Sequence, residues 1–292
     1  IHVPMADSME LWISGLSGDT VMIPASHDWM PKDIKQAVEV ARGIPGREQR
    51  ILAGTLELCG AESVGSVCAG PRVHLTLIRR PPEQAVWLEK ITSEPLELRG
   101  APASIRSDRE VVFAAVKVDG TALRYATEEL GADREITLAA VQSNWFALQY
   151  TAEELLSDRD IIFSACSAHG PALLFASPEL KADRELVLVA VRNHGSALQY
   201  AAPHLTEDRE VVSAAVLSNG FALRYASRKL QADKKLVMDA VRVNGEALEF
   251  AAEELREDRD VVRAAIESEI YAFFFASDAM QEDPEFAHIA ER

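Results

Sequence analysis

Eight aspartates recur at a fixed step of 25 residues: Asp108, Asp133, Asp158, Asp183, Asp208, Asp233, Asp258 and Asp283. In the first five, Arg109, Arg134, Arg159, Arg184 or Arg209 follows, and then Glu110, Glu135, Asp160, Glu185 or Glu210. So many carboxylates invite an acid–base or cation-binding reading. Helix capping and charge pairing account for them with no further assumption. An aspartate at a helix start accepts the orphan amides of the first turn, and exposed ion pairs of this kind contribute only ~0–1 kcal/mol each. His169 and His194 lie one step apart, with no cysteine or converging carboxylate to make a metal set. No phosphate-binding glycine loop, Ser-His-Asp or Cys-His grouping, or zinc spacing is present. Neither an enzyme nor a cofactor is expected. Trp145-Phe146 is the more informative pair, because it occupies a turn where other copies carry Gly-Thr, Gly-Ser or Gly-Glu. Exposed aromatics are favoured anchors for protein partners, and packing on an adjacent loop is the competing reading.

Two further ladders keep the same step. One is aromatic: Tyr125, Tyr150, Phe175, Tyr200, Tyr225, Phe250 and Phe275. The other is alanine: Ala115, Ala140, Ala165, Ala190, Ala215, Ala240 and Ala265. Three ladders in register indicate a repeat array in which each unit buries its apolar face on its neighbours. In the copy 108–132, Val111, Val112, Ala115 and Val116 form a helical stripe behind the Asp108 cap. Asp119-Gly120 ends that helix, with glycine expected in the left-handed conformation. A second short helix carries Ala122, Leu123 and Tyr125, and a turn with Leu130 leads to the next aspartate. The expected architecture is an α-solenoid of short helix pairs, with the aromatic ladder in its core and a curved rod of roughly 70–80 Å at normal helix spacing. Residues 84–107 read as a degraded opening unit, in which Gly100 replaces the aromatic and Pro95 the glycine.

Ahead of the array, residues 9–23 alternate about Ser17-Gly18 as a β-hairpin. Helical spacing follows over 31–42 and stops at Gly43, with strands at Arg50-Ile51-Leu52 and Val73–Leu77. The fold class expected is α+β: a small mixed sheet with a helix, then an all-α array.

The chain has 292 residues, 48% of them hydrophobic, and a net charge of −16. No apolar run approaches the ~18 residues of a membrane span. Residues 1–80 hold eight basic and nine acidic residues, and the remainder 22 and 37. That balance disfavours a phosphate backbone as partner and suits a protein or a basic peptide, although solubility explains it equally well. Cys59, Cys68 and Cys166 suggest free thiols in a reducing compartment, with Cys166 in the core. No signal-peptide pattern opens the chain, and a cytoplasmic or nuclear protein is expected. Met5 reads as a natural start, preceded by a four-residue extension.

Residues 9–80 resemble ubiquitin-like domains, through the hairpin and the segments GIPGREQRILAG and RVHLTLIRR. The resemblance implies a β-grasp fold and a receptor-binding patch at Leu16, Leu52, His74 and Thr76, the last of them polar. Arg79-Arg80 is followed by Pro81-Pro82 where the family's modifiers end in Gly-Gly, and Thr55 stands at a chain-forming lysine position. A built-in recognition module, not a modifier, is implied. The 25-residue units, with their DREVV, AAV and NG.AL.YA..EL segments, resemble a tandem helical family known only as a domain of unknown function. The expected domains are a ubiquitin-like unit over 5–80, a linker with a degenerate capping repeat over 81–107, and a helical array over 108–292. The expected function is a non-enzymatic adaptor: the first unit docks to a ubiquitin-pathway or proteasomal receptor, and the array holds a protein client. A structural subunit of a larger assembly is the alternative.

Overall fold

A computed structural model of the chain describes residues 8–60, 62–68 and 70–286. The Met5 start and the opening residues of the 5–80 unit, like the final residues of the array, lie outside the described residues. The chain forms two compact units, divided between Glu94 and Pro95.

The first unit is a five-stranded mixed sheet with a helix. Strands β1 (Ser8–Gly15) and β2 (Thr20–Ser26) form the expected antiparallel hairpin. Helix α1 (Pro31–Arg42) follows and ends at Gly43, whose φ of 66° is the left-handed cap a glycine supplies. Strands β3 (Gln49–Ala53), β4 (Leu56–Glu57) and β5 (Arg72–Arg79) complete the order β2-β1-β5-β3-β4. The central pair β1–β5 is parallel. Period-two alternation sends Leu11, Ile13, Val73, Leu75 and Leu77 into one core with Ile34 and Val38 of the helix. The intervening residues occupy the sheet's other face. Helices α2 (Val64–Val67) and α3 (Pro82–Ser93) also belong to this unit.

The second unit consists of repeating helical elements. We number its regular copies from repeat 1 (108–132) to repeat 7 (258–282). Each opens with a ten-residue α-helix, Arg109–Val118 in repeat 1. A six-residue 3-10 helix follows, Gly120–Tyr125, and then a single helical turn, Glu128–Gly131. Ahead of repeat 1, Leu98, Ala101 and Ile105 of the degraded unit are buried; a 3-10 helix spans Pro95–Gly100 there and a helical turn Ala103–Arg106. The α-helix of each repeat packs on that of the next, and so do successive 3-10 segments. One backbone hydrogen bond joins each copy to its predecessor, as from Ala202 N–H to Lys181 O at 2.9 Å and from Ser227 N–H to Thr206 O at 3.0 Å. All seven ladder alanines are fully buried, so the helices approach without a side chain between them.

From Asp133 onward, each capping aspartate serves two neighbours. Oδ1 of Asp208 accepts from the amides of Glu210 and Val211 at 2.9 and 3.1 Å. Its Oδ2 accepts from Arg184 Nε, in the preceding repeat, at 2.8 Å. The other arm of that guanidinium bonds Glu210. Equivalent bridges run from Arg109 to Asp133, Arg134 to Asp158 and Arg159 to Asp183.

Two expectations require correction. The glycine after each capped helix is not left-handed: among the described residues only Gly18, Gly43, Gly54 and Gly70 have positive φ. Gly120, Gly170, Gly195, Gly220 and Gly245 instead begin the 3-10 helix, pressed against the next repeat. A Cβ on Gly220 would lie 2.4 Å from the carbonyl oxygen of Ala240, and one on Gly195 2.2 Å from that of Ala215. Close approach, not torsional freedom, selects glycine there. The aromatic ladder, in turn, is half-buried and not core. The rings flank the 3-10 segments, where Arg124 lies over Tyr125 and Tyr150, and Arg224 over Tyr225 and Phe250. Ala122 and Leu123, with their counterparts, fill the interior in their place.

Gly220→Ala should therefore cost about 1–3 kcal/mol in chemical denaturation, as overpacked sites do. Gly100→Ala, with no atom within 4 Å of the added methyl, should be neutral. Acid should also weaken the array in a defined window. The guanidiniums of Arg109, Arg134 and Arg184 hold Asp133, Asp158 and Asp208 below the usual carboxylate range, with partial burial opposing. Their stabilising contribution is present above the unfolded value of about 3.9 and is lost as pH falls through the lower folded values. The carboxylate contribution to the unfolding midpoints should hold from neutral pH to about 4 and drop below it, read most directly in a His169→Asn background. Asp208→Ala should cost ~0.5–2 kcal/mol, and Asp208→Asn less, because the amide still caps.

Candidate functional site

Two surfaces collect the residues singled out by type and spacing. On the first unit, the strand register gathers Leu52, His74 and Thr76 on the sheet face opposite α1. Leu52 lies directly across from Thr76, which on its other side faces Ser14. His74 is exposed and pairs with Trp12 of β1, ring centroids 6.2 Å apart. Leu16 follows the end of β1 and is 79% exposed. Trp12 and its register partner Met22, 48% exposed, extend the face toward the sheet edge. Both were missed in the sequence, yet β-strand alternation from Leu11 and Ile13 already puts Trp12 on the free face. The patch is thus an apolar flank at Leu52, a polar row at Ser14 and Thr76, and an aromatic flank at Trp12 and His74.

On the repeat unit, Trp145 fills the glycine position of repeat 2. Asn144 caps the 3-10 helix there, accepting from Phe146 N–H at 3.0 Å. The indole cannot enter the space a glycine vacates. In every other adjacent pair from repeat 1 to repeat 7, the 3-10 segment packs closely on the α-helix of the following repeat; at the segment Trp145–Tyr150 that contact thins. The ring instead lies against Phe146 at 4.4 Å and stacks on His169 at 4.3 Å with planes 18° apart. His169 meets His194 at 4.5 Å. Phe146 is left 46% exposed. Trp145 therefore packs on an adjacent turn, and Phe146 faces outward.

The chemistry open to these groups is limited. Burial, and then repulsion from His194, pushes the His169 imidazole below its ordinary value. Burial pushes the Cys166 thiol up to about 12, leaving it inert within its helix. The aspartates held low by arginine are ionised at neutral pH, with both oxygens engaged. Among the described residues, no group of three or more His, Cys, Asp or Glu is placed to hold a metal ion. No helix there is long and apolar enough to cross a membrane.

The second unit is thus an array of tandem helical units, and its family is identifiable. The model of a domain of unknown function, DUF4116, matches residues 86–131, 133–181, 183–231 and 233–281. These matches take in well over half of the chain, which belongs to this family. No curated protein matches it. Each family unit of about 50 residues spans two 25-residue repeats. The doubled period is also visible in the residue that ends each of repeats 1 to 6: Ala132, Ala182 and Ala232 alternate with Ser157, Glu207 and Glu257.

His169 should titrate below the ordinary histidine value of about 6.5 in an NMR pH series. His194→Asn should move it back upward by removing the second cause. Because the folded ring binds protons less readily than the unfolded one, acidification from about pH 7 through the folded value should lower stability. His169→Asn should flatten that dependence.

Proposed function

We propose that the chain is a non-enzymatic adaptor. In this reading the first unit is a ubiquitin-like β-grasp domain that docks to a ubiquitin-pathway or proteasomal receptor. The repeats stack as an α-solenoid, and the surface at Trp145 and Phe146 holds a protein client. The observation that carries the reading is the sheet: a hairpin, a crossing helix and a parallel central pair β1–β5, with Leu52, His74 and Thr76 together on the free face. The free thiols Cys59, Cys68 and Cys166 fit a cytoplasmic or nuclear setting. Net acidity favours protein partners over nucleic acid. A structural subunit with no ubiquitin-pathway role is the second reading, favoured by the polar row at Ser14 and Thr76 that splits the patch.

Receptor binding should be weak, with Kd of roughly 0.1–1 mM, equivalent to about 4–5.5 kcal/mol. Titration of the full chain with an isolated ubiquitin-interacting helix, followed by NMR, should shift resonances around Leu52 and His74. Leu52→Ala should remove the response and leave the fold intact, because that side chain lies on the face away from the core. Shifts confined elsewhere, or none at millimolar helix, would hand the lead to the structural-subunit reading.

A further inference from the structure

Repeats 5 and 6 break the charge rule of the array. The single-turn segments begin with Glu128-Glu129, Glu153-Glu154 and Glu253-Glu254 in repeats 1, 2 and 6, but with Arg228-Lys229 in repeat 5. Two residues past the capping aspartate, repeats 1–5 and 7 carry Glu or Asp; repeat 6 carries Lys235. The helix Lys234–Val243 accordingly has no acidic residue in its first turn, unlike the equivalent helix of every other repeat. Cations there oppose the helix dipole. The segment 228–235 holds four basic residues and one acid, within a unit that is otherwise strongly acidic.

The geometry leaves much of this charge unsatisfied. Lys234 reaches Asp258 at 2.7 Å and Asp260 at 3.2 Å, as the arginines of other repeats do. Arg209 keeps Asp233 at 3.2 Å but finds Lys235 where its homologues find a second carboxylate. Arg228, Lys229 and Lys235 are exposed, and among the described residues none of the three has an ion-pair partner. The turn bearing Arg228 and Lys229 packs directly on the helix that Lys234 and Lys235 open.

We propose that Arg228, Lys229 and Lys235, with Arg209 beside them, form a docking site for a short acidic peptide segment of a partner protein. The site's width favours this occupant over a polyanion. It spans about one repeat step, roughly 8–10 Å, or about three residues of extended chain. Beyond it on either side stand exposed acids, Glu207 before and Glu253, Glu254 and Glu257 after. A nucleic acid would carry its further phosphates across those carboxylates. A short acidic segment ends before it meets them. Exposed lysine and arginine suit mobile carboxylates, the groups this edge already binds along its length. The site shares no residue with the sheet face or the Trp145 turn, and stands whether or not the adaptor reading does.

The test is fluorescence anisotropy of a labelled triglutamate peptide with the full chain at low salt, and again at about 0.5 M salt, where exposed charges are screened. Wild type should bind at low salt and release at high salt. R228E/K229E/K235E, which restores the charges of the sister repeats, should bind at least about tenfold more weakly and melt at the same or a higher temperature. If it melts lower, R228Q/K229Q/K235Q decides by the same binding criterion. Undiminished binding by the charge-reversed or neutral variant, no binding by wild type, or tighter binding of hexathymidylate would each overturn the proposal.

Discussion

A carboxylate with two oxygens and two obligations sets the geometry of the repeat unit. In repeats 2 to 5, one oxygen of the capping aspartate closes the first turn of its own helix, and the other receives the arginine of the preceding copy. The first bond fixes where the helix begins, and the second ties that beginning to the neighbour's. Together they hold successive helices in register, since a slip of one residue between neighbours would break the bridge to the capped end. Every helix then carries its ladder alanine to the same depth, and in repeats 1 and 3 to 6 the glycine–carbonyl contact follows one turn beyond. The individual ion pairs are exposed and weak. Their value lies in repetition and in the exactness of the step.

How much of this was legible in the sequence depended on how local the cause was. The caps at Asp108 and its successors were readable because an N-cap is decided by the residue and the next three. The Gly43 stop was readable for the same reason. The glycine of each repeat was misread because its cause lies 20 residues away: Gly220 is required by the Ala240 carbonyl of another copy. The ring ladder was misplaced because a strict period shows that residues are equivalent, not which side they face. Trp145 signalled a departure, but its stacking on His169 depends on a neighbouring repeat and had no local signature.

The first unit shows the complementary limit. Alternation along β1 and β5 placed its core, and strand pairing then decided which patch residues became neighbours. Leu52 lies beside Thr76 only because β3 joins β5, and Trp12 meets His74 only because β1 runs parallel to it. The resulting face mixes an aromatic flank, a hydroxyl row and an apolar flank. Such a surface suits transient contacts with modest apolar burial, consistent with the weak receptor engagement proposed for it.

The indole at position 145 has a consequence beyond recognition. In a linear array, stability is approximately a sum of the intrinsic terms of each copy and the coupling between neighbours. Copies joined by full contact open and close together, whereas a thin junction lets one side fray while the other stays closed. The Trp145 junction, where the 3-10 to helix contact kept elsewhere thins, is a weaker boundary between a short leading block and a longer trailing block of repeats 3 to 7. A fraying boundary that advances from the leading end meets its weakest coupling there. The trailing block, which carries the segment 228–235, is thereby insulated from local opening at the front of the array.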